Sequence, residues 1–146
     1  MSEINLGIIG GGQLGSLLSV AAKKLNIKTT IYSDDPDAPA QNFSDDFVFG
    51  NYNDKKKILE FINKVDLITY EFENIPFDTL NEINKLKKVL PKPSVNRLIQ
   101  HRLAEKDFVN KLNIRTTRYV SIEKKSDIET LEDFLPGILK TTTMGY

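Results

Sequence analysis

Short apolar runs alternate with stretches of helical period from residue 4 to residue 90, and that alternation predicts a parallel, doubly wound α/β sheet. Ile4 to Ile9 reads as a strand covered on both faces. Leu14, Leu17, Leu18, Ala21, Ala22 and Leu25 recur at helical spacing, predicting an amphipathic helix over 14–25 with Asn26 as its stop. Thr29 to Tyr32 is β-branched and aromatic, a second strand. Asp45 to Phe49 alternates toward a third, which Gly50 breaks. Asp54 is placed to cap a helix carrying Ile58, Leu59, Ile62 and Val65. A fourth strand, Asp66 to Tyr70, leads into Glu71-Phe72-Glu73-Asn74. Phe77, Leu80, Ile83 and Leu86 trace the next helix, and Val89-Leu90 is a small strand closed by Pro91 and Pro93.

After Pro93 the pattern changes. Ser94 is expected to cap a short helix through Gln100, and Leu103 to Leu112 is a second helix with Leu103, Phe108, Val109 and Leu112 on its apolar face. A helix around Asp127 to Leu135 and a strand over Ile138 to Lys140 follow, before Thr141-Thr142-Thr143-Met144-Gly145-Tyr146. The last strand has nothing after it to turn back into, so apolar surface and a bare sheet edge there predict self-association.

Composition narrows the chemistry. Lys plus Arg equals Asp plus Glu at 20 each, so no net field draws the chain to nucleic acid or an anionic membrane. There are no cysteines and one histidine, His101, which excludes thiol catalysis and a histidine-rich metal centre. His101 reads as a surface or capping residue. The amino-terminus lacks a signal-peptide pattern and no run is long enough for a membrane helix, so a cytoplasmic protein is expected.

The first strand runs into Gly10-Gly11-Gly12-Gln13-Leu14-Gly15, where Gly10, Gly12 and Gly15 have the GxGxxG spacing of a dinucleotide turn. Such a turn lets a ligand approach the backbone and aims free helix N–H groups at it. Asp34 or Asp35, about 20 residues on, stands where a ribose partner would in an NAD site. Two other readings share the spacing: a tight strand-to-helix turn with no ligand, and a site for a smaller phosphorylated substrate. The acidic, proline-containing run Asp34 to Ala40 reads as a solvated loop, which weakens the NAD case. Glu71 and Glu73 lie two apart at a strand end, so both carboxylates are expected to share one face and accept hydroxyls, an amine or a metal. Arg102 at a helix start and Lys140 at a strand end are either solvated cations or, for the lysine, a phosphate grip.

The glycine run, Thr69-Tyr70-Glu71-Phe72-Glu73-Asn74, Arg102 through Lys106, and Leu139 through Tyr146 together resemble one family along the whole chain. That family is N5-carboxyaminoimidazole ribonucleotide synthase, an ATP-grasp enzyme of purine biosynthesis; the formate-using phosphoribosylglycinamide formyltransferase is a sister with a similar layout. The resemblance implies a Rossmann-like pre-ATP-grasp domain over 1–98 and the beginning of an ATP-grasp domain over 99–146. It implies a carbon–nitrogen ligase reaction, in which ATP and Mg2+ convert bicarbonate to carboxyphosphate and the 5-amino group of aminoimidazole ribonucleotide is carboxylated. By position, Gln13, Leu14 and Glu71, with Glu73 as a further candidate, match residues that hold the ribonucleotide. Arg102, Lys140, Gly145 and Tyr146 fall in segments that contact ATP. No catalytic base and no metal ligand is matched. Homodimers are usual in the family.

The family continues past Gly-Tyr with Asp-Gly, a closing phosphate loop and, much later, its acidic metal ligands. The chain is therefore expected to be an amino-terminal portion truncated inside the ATP site and inactive alone. The rivals are an NAD-dependent oxidoreductase domain and a non-catalytic Rossmann-like binding module. A chain of residues 1–146 should release no ADP in response to aminoimidazole ribonucleotide, and measurable release in a coupled assay would refute that expectation.

Overall fold

The computed structural model describes residues 4–129 and 131–144, which divide into two units meeting between Arg97 and Leu98. In the first unit, four strands form one parallel sheet: β1 (Asn5–Ile9), β2 (Lys28–Ser33), β3 (Asp46–Phe49) and β4 (Leu67–Tyr70), in the order β3-β2-β1-β4. In register, Ile8 lies opposite Ile31 on one side and Thr69 on the other. Val89 adds a single parallel bridge to Ile68, so the expected small fifth strand is present only as that bridge.

Four helices belong wholly or mainly to this unit: α1 (Gln13–Lys24), α2 (Lys55–Lys64), α3 (Phe77–Leu86) and α4 (Pro93–Ile99). α2 starts where the Asp54 carboxylate accepts the N–H groups of Lys56 and Lys57 at 3.0 and 3.1 Å. α1 stops where Asn26 takes a left-handed φ of 56°, as its position in the sequence predicted. α4 begins at Pro93, so Ser94 lies inside the helix rather than capping it.

The two sheet faces are unequally filled, and the alternation of β1 decides which residue goes where. Ile9 points into the larger cluster with Tyr32, Phe61, Ile62, Ile68, Leu80 and Ile83, contributed largely by α2 and α3. Ile8 points the other way, into a smaller cluster with Ile31 and Ala40. Gly7 shares Ile9's face; a Cβ there would stand 2.6 Å from the Phe61 ring, so the glycine makes room for the largest side chain of α2.

α1 corrects the expectation from its leucines. The helix buries Gly15, Ser16, Ser19 and Ala22 and leaves Leu14, Leu17 and Leu25 58%, 58% and 71% exposed. The cause is proximity: a Cβ on Gly15 would meet the Gly10 carbonyl at 2.9 Å, too close for any side chain. Leu59 of α2, expected inside, is likewise exposed, and Phe61 takes its place.

The second unit contains α5 (Arg102–Lys111), α6 (Lys125–Ile128) and a 3₁₀ turn (Glu132–Phe134). His101 caps α5, its Nδ1 accepting the Ala104 N–H at 3.4 Å, in line with its expected role. α5 has no buried residue among those described, and Phe108 and Leu112 lie about half exposed. The helix expected over Asp127 to Leu135 is divided between α6 and the 3₁₀ turn. Ile138 to Lys140 is not a strand: among the described residues no neighbouring strand offers it hydrogen bonds, and a β pattern needs a partner to be realised. The bare-edge argument for self-association therefore lapses, although Ile138 and Leu139 remain exposed. No helix among the described residues is long and apolar enough to cross a membrane.

The buried tyrosines give the fold a pH signature. Burial, and then the charges of Asp54, Asp34 and Glu60, push the Tyr32 phenol up from 10.0 to about 12. Burial, followed by the charge of Asp34, raises Tyr52 further. In the unfolded chain both phenols ionise near 10.0, so between that pH and about 12 the unfolded state binds fewer protons and native stability falls as pH rises. Urea denaturation should show a steady profile from neutral pH to about pH 9, then a decline approaching about 1.4 kcal/mol per pH unit per tyrosine. Tyr32→Phe should flatten the alkaline limb; an unchanged limb in that variant would assign the loss elsewhere.

Candidate functional site at the glycine turn

β1 delivers its chain into the turn at its carboxyl end, where ligands gather on open parallel sheets. Gly10 has φ +106°, a conformation side chains rarely adopt, and its N–H donates to the Tyr32 carbonyl at 2.9 Å. Gly12 is the first residue before α1 and, lacking a side chain, cannot cap it. Glu71 reaches the backbone at that position: its Oε1 takes the Gly12 N–H at 2.9 Å. The carboxylate lies directly against the turn. A Cβ on Gly10 would be 2.6 Å from Glu71 Oε1, and one on Gly12 would be 3.3 Å from the same oxygen. An anion at the start of α1 is also where the helix dipole favours negative charge.

Glu71 is fixed at its backbone as well, its N–H donating to the Ile9 carbonyl at 3.0 Å. β4 ends at Tyr70, however, so Glu71 and Glu73 lie in the following turn rather than on the strand. The alternation that placed both carboxylates on one face does not apply there. Gln13 and Leu14 are exposed at the start of α1, next to the Glu71–Gly12 bond. The structure thus brings Gly10, Gly12, Gly15, Gln13, Leu14 and Glu71 to one sheet end.

Two features escaped the sequence. The run Asp34 to Ala40 is more than a solvated loop: Ala38 and Ala40 are buried, and the Ala40 N–H donates to the Gly11 carbonyl at 3.0 Å. A Cβ on Gly11 would stand 2.5 Å from that of Ala38 and one on Gly15 3.3 Å from that of Ala40, so a glycine outside the motif spacing carries the loop together with one inside it. The alternating small residues Ala38 and Ala40 were the available signal. Tyr52 is the other omission. It is 7% exposed despite lying in the polar stretch Gly50 to Asp54, with its ring 6.4 Å from that of Phe72, Glu71's neighbour. An aromatic among polar turn residues was the clue.

Within the second unit, Arg102 opens α5, and its guanidinium donates to the Thr141 carbonyl at 2.9 Å while its backbone N–H donates to Thr142. Arg102 is thereby tied to the segment that follows Lys140. Gly145 and Tyr146 lie outside the described residues. Among the described residues no group of three or more His, Asp or Glu is assembled that could hold a metal ion.

Known proteins resemble this chain in sequence and fold. Residues 1–100 match the family described as the ribonucleotide synthetase preATP-grasp domain. A protein of Brucella melitensis named N5-carboxyaminoimidazole ribonucleotide synthase is 36% identical over 146 residues, which is 97% of this chain and 40% of its own length. The crystal structure of N5-carboxyaminoimidazole ribonucleotide synthetase from Thermus thermophilus superimposes with a TM-score of 0.76 at 31% identity, covering 85% of this chain and 34% of that one. The Aspergillus clavatus synthase, in complex with ADP and 5-aminoimidazole ribonucleotide, superimposes with a TM-score of 0.79 at 26% identity, over 98% of this chain and 39% of that one. The chain spans well under half the length of these relatives. With a glycine turn ending β1 and residues 1–100 matched throughout, the chain belongs to the ribonucleotide synthetase preATP-grasp family.

Proposed function

We propose that this chain supplies the ribonucleotide-binding part of an N5-carboxyaminoimidazole ribonucleotide synthase, a cytoplasmic, homodimeric ligase of purine biosynthesis. In the whole enzyme, ATP would phosphorylate bicarbonate, and the carboxyphosphate would carboxylate the 5-amino group of aminoimidazole ribonucleotide. The observation that carries the reading is the Glu71 carboxylate seated on the Gly12 N–H. A carboxylate has about four acceptor positions and Gly12 uses one, so Glu71 can still accept from hydroxyls or an amine. Ribose hydroxyls fit that description. A pyrophosphate does not, because it would bring a second anion against the first in a part-buried setting. This argues for a sugar at the turn and against NAD.

Gln13 and the Leu14 backbone would flank the sugar, and Glu73 would add a second carboxylate from the same turn. Arg102 and Lys140 would present cations to ATP phosphates, with Gly145 and Tyr146 continuing that segment. In the whole enzyme, magnesium would neutralise charge on the ATP phosphates. The relatives' names and the Aspergillus complex with ADP and the ribonucleotide support this reading.

Isothermal titration calorimetry tests it directly. The chain should bind aminoimidazole ribonucleotide weakly, in the millimolar range or somewhat tighter, and should not bind NAD. Glu71→Gln should weaken ribonucleotide binding roughly 10- to 100-fold, the worth of hydrogen bonds to a charged group. A folded sample that ignores the ribonucleotide, or one that binds NAD, would overturn the proposal.

A further inference from the structure

A fully buried asparagine needs a reason, because leucine has nearly the same shape and no polar atoms to desolvate. Asn96 of α4 is 0% exposed. Its Nδ2 donates to the Ile75 carbonyl at 3.2 Å, while its Oδ1 has no hydrogen-bond partner among the described residues. A carbonyl can only accept, so the bond itself dictates which end of the amide faces Ile75. The buried, unpaired oxygen is destabilising, and the nitrogen's one bond is what the amide contributes.

That bond falls on the segment that carries Glu71. Residues 71–76 join β4 to α3 without regular structure. At the near end, the Glu71 N–H donates to the Ile9 carbonyl at 3.0 Å. At the far end, the Ile75 side chain is fully buried in the larger core and its carbonyl is held by Asn96. The next residue of α4, Arg97, lies over the ring of Phe77, 4.8 Å from its centre. Two successive residues of α4 thus grip the place where the turn enters α3. The bond to Ile9 fixes one point of Glu71; the direction of its side chain follows the path the chain takes next, from Phe72 to Ile75.

We infer that Asn96 is a positioning residue, whose bond to the Ile75 carbonyl fixes the far end of this turn and so keeps the Glu71 carboxylate seated on the Gly12 N–H. Its consequence for ligand binding rests on the ribonucleotide reading above; its consequence for the free protein does not. Asn96→Leu and Asn96→Ala both remove the donor, but leucine keeps the volume and alanine leaves a cavity. A packing role would make their effects differ, whereas loss of the bond would make them alike.

The readout is the Gly12 amide resonance in proton–nitrogen correlation spectra of the ligand-free chain, with Glu71→Gln marking where it goes when the carboxylate is lost. Both Asn96 variants should move it by similar amounts toward that position, although alanine should lower the urea midpoint further than leucine. Aminoimidazole ribonucleotide affinity should fall about three- to tenfold in both, as expected for one net hydrogen bond. A Gly12 resonance that stays at its parent position in Asn96→Leu would overturn the inference. Should neither variant fold, Glu71→Gln reads the same coupling from the other end, because coupling between two sites is reciprocal. It should shift the side-chain amide resonances of Asn96 and leave those of Asn84, whose Oδ1 accepts the Val89 N–H, in place; an unmoved Asn96 amide would overturn the inference. If Glu71→Gln leaves ribonucleotide binding unchanged, the sugar reading fails while the amide shifts still decide the role of Asn96.

Discussion

The N–H of the residue that leads into a helix has no acceptor within that helix. That deficit organises the first unit. The acceptor comes from Glu71, 59 residues away in sequence and one strand over in the sheet. For the bond to form, β4 must lie beside β1, and Gly10 must take a positive φ so that the carboxylate can settle against bare backbone. The parallel order β3-β2-β1-β4 meets these conditions, and the larger core beneath α2 and α3 keeps β4 in register. Site and fold are in this sense one arrangement seen from two ends of the sheet.

The same bond decides what the turn can accept. In a dinucleotide site the helix N–H groups face an incoming phosphate. Here the first of them already donates to a carboxylate, which sets an acceptor beside the remaining donors. Spacing among glycines cannot register that change, since the residue responsible lies on another strand. This is why GxGxxG alone left three readings open.

What was legible in the sequence follows the physics of each signal. The four strands, the helices after β1, β3 and β4, the Asp54 and His101 caps and the Asn26 stop were readable because period and capping chemistry are local. The facing of α1 was not, because leucines at helical spacing mark an apolar stripe without saying that a close-packed sheet will instead take the serine and alanine row. Ile138 to Lys140 failed for a related reason: strand propensity is local and strand formation is not. At the site, Glu71 was found from its position at a strand end, but its hydrogen bond to Gly12 and the packing of Ala38 on Gly11 came only with the fold. Arg102 showed no local purpose as a cation at a helix start; its contact with Thr141 links it to the Lys140 segment.

The inward row of α1 reverses the usual ranking of residues by size. Leu14, Leu17 and Leu25 face outward and are under no steric limit from the sheet, whereas Gly15, Ser16, Ser19 and Ala22 fix how deeply the helix sits. Any side chain enlarged on that row would act as a wedge, lifting α1 and carrying Gly12 away from Glu71. The depth of the cradle is therefore encoded in the smallest residues of the helix. Selection for the ligand would be expected to leave its mark on serines and alanines that never touch it, while the leucines drift.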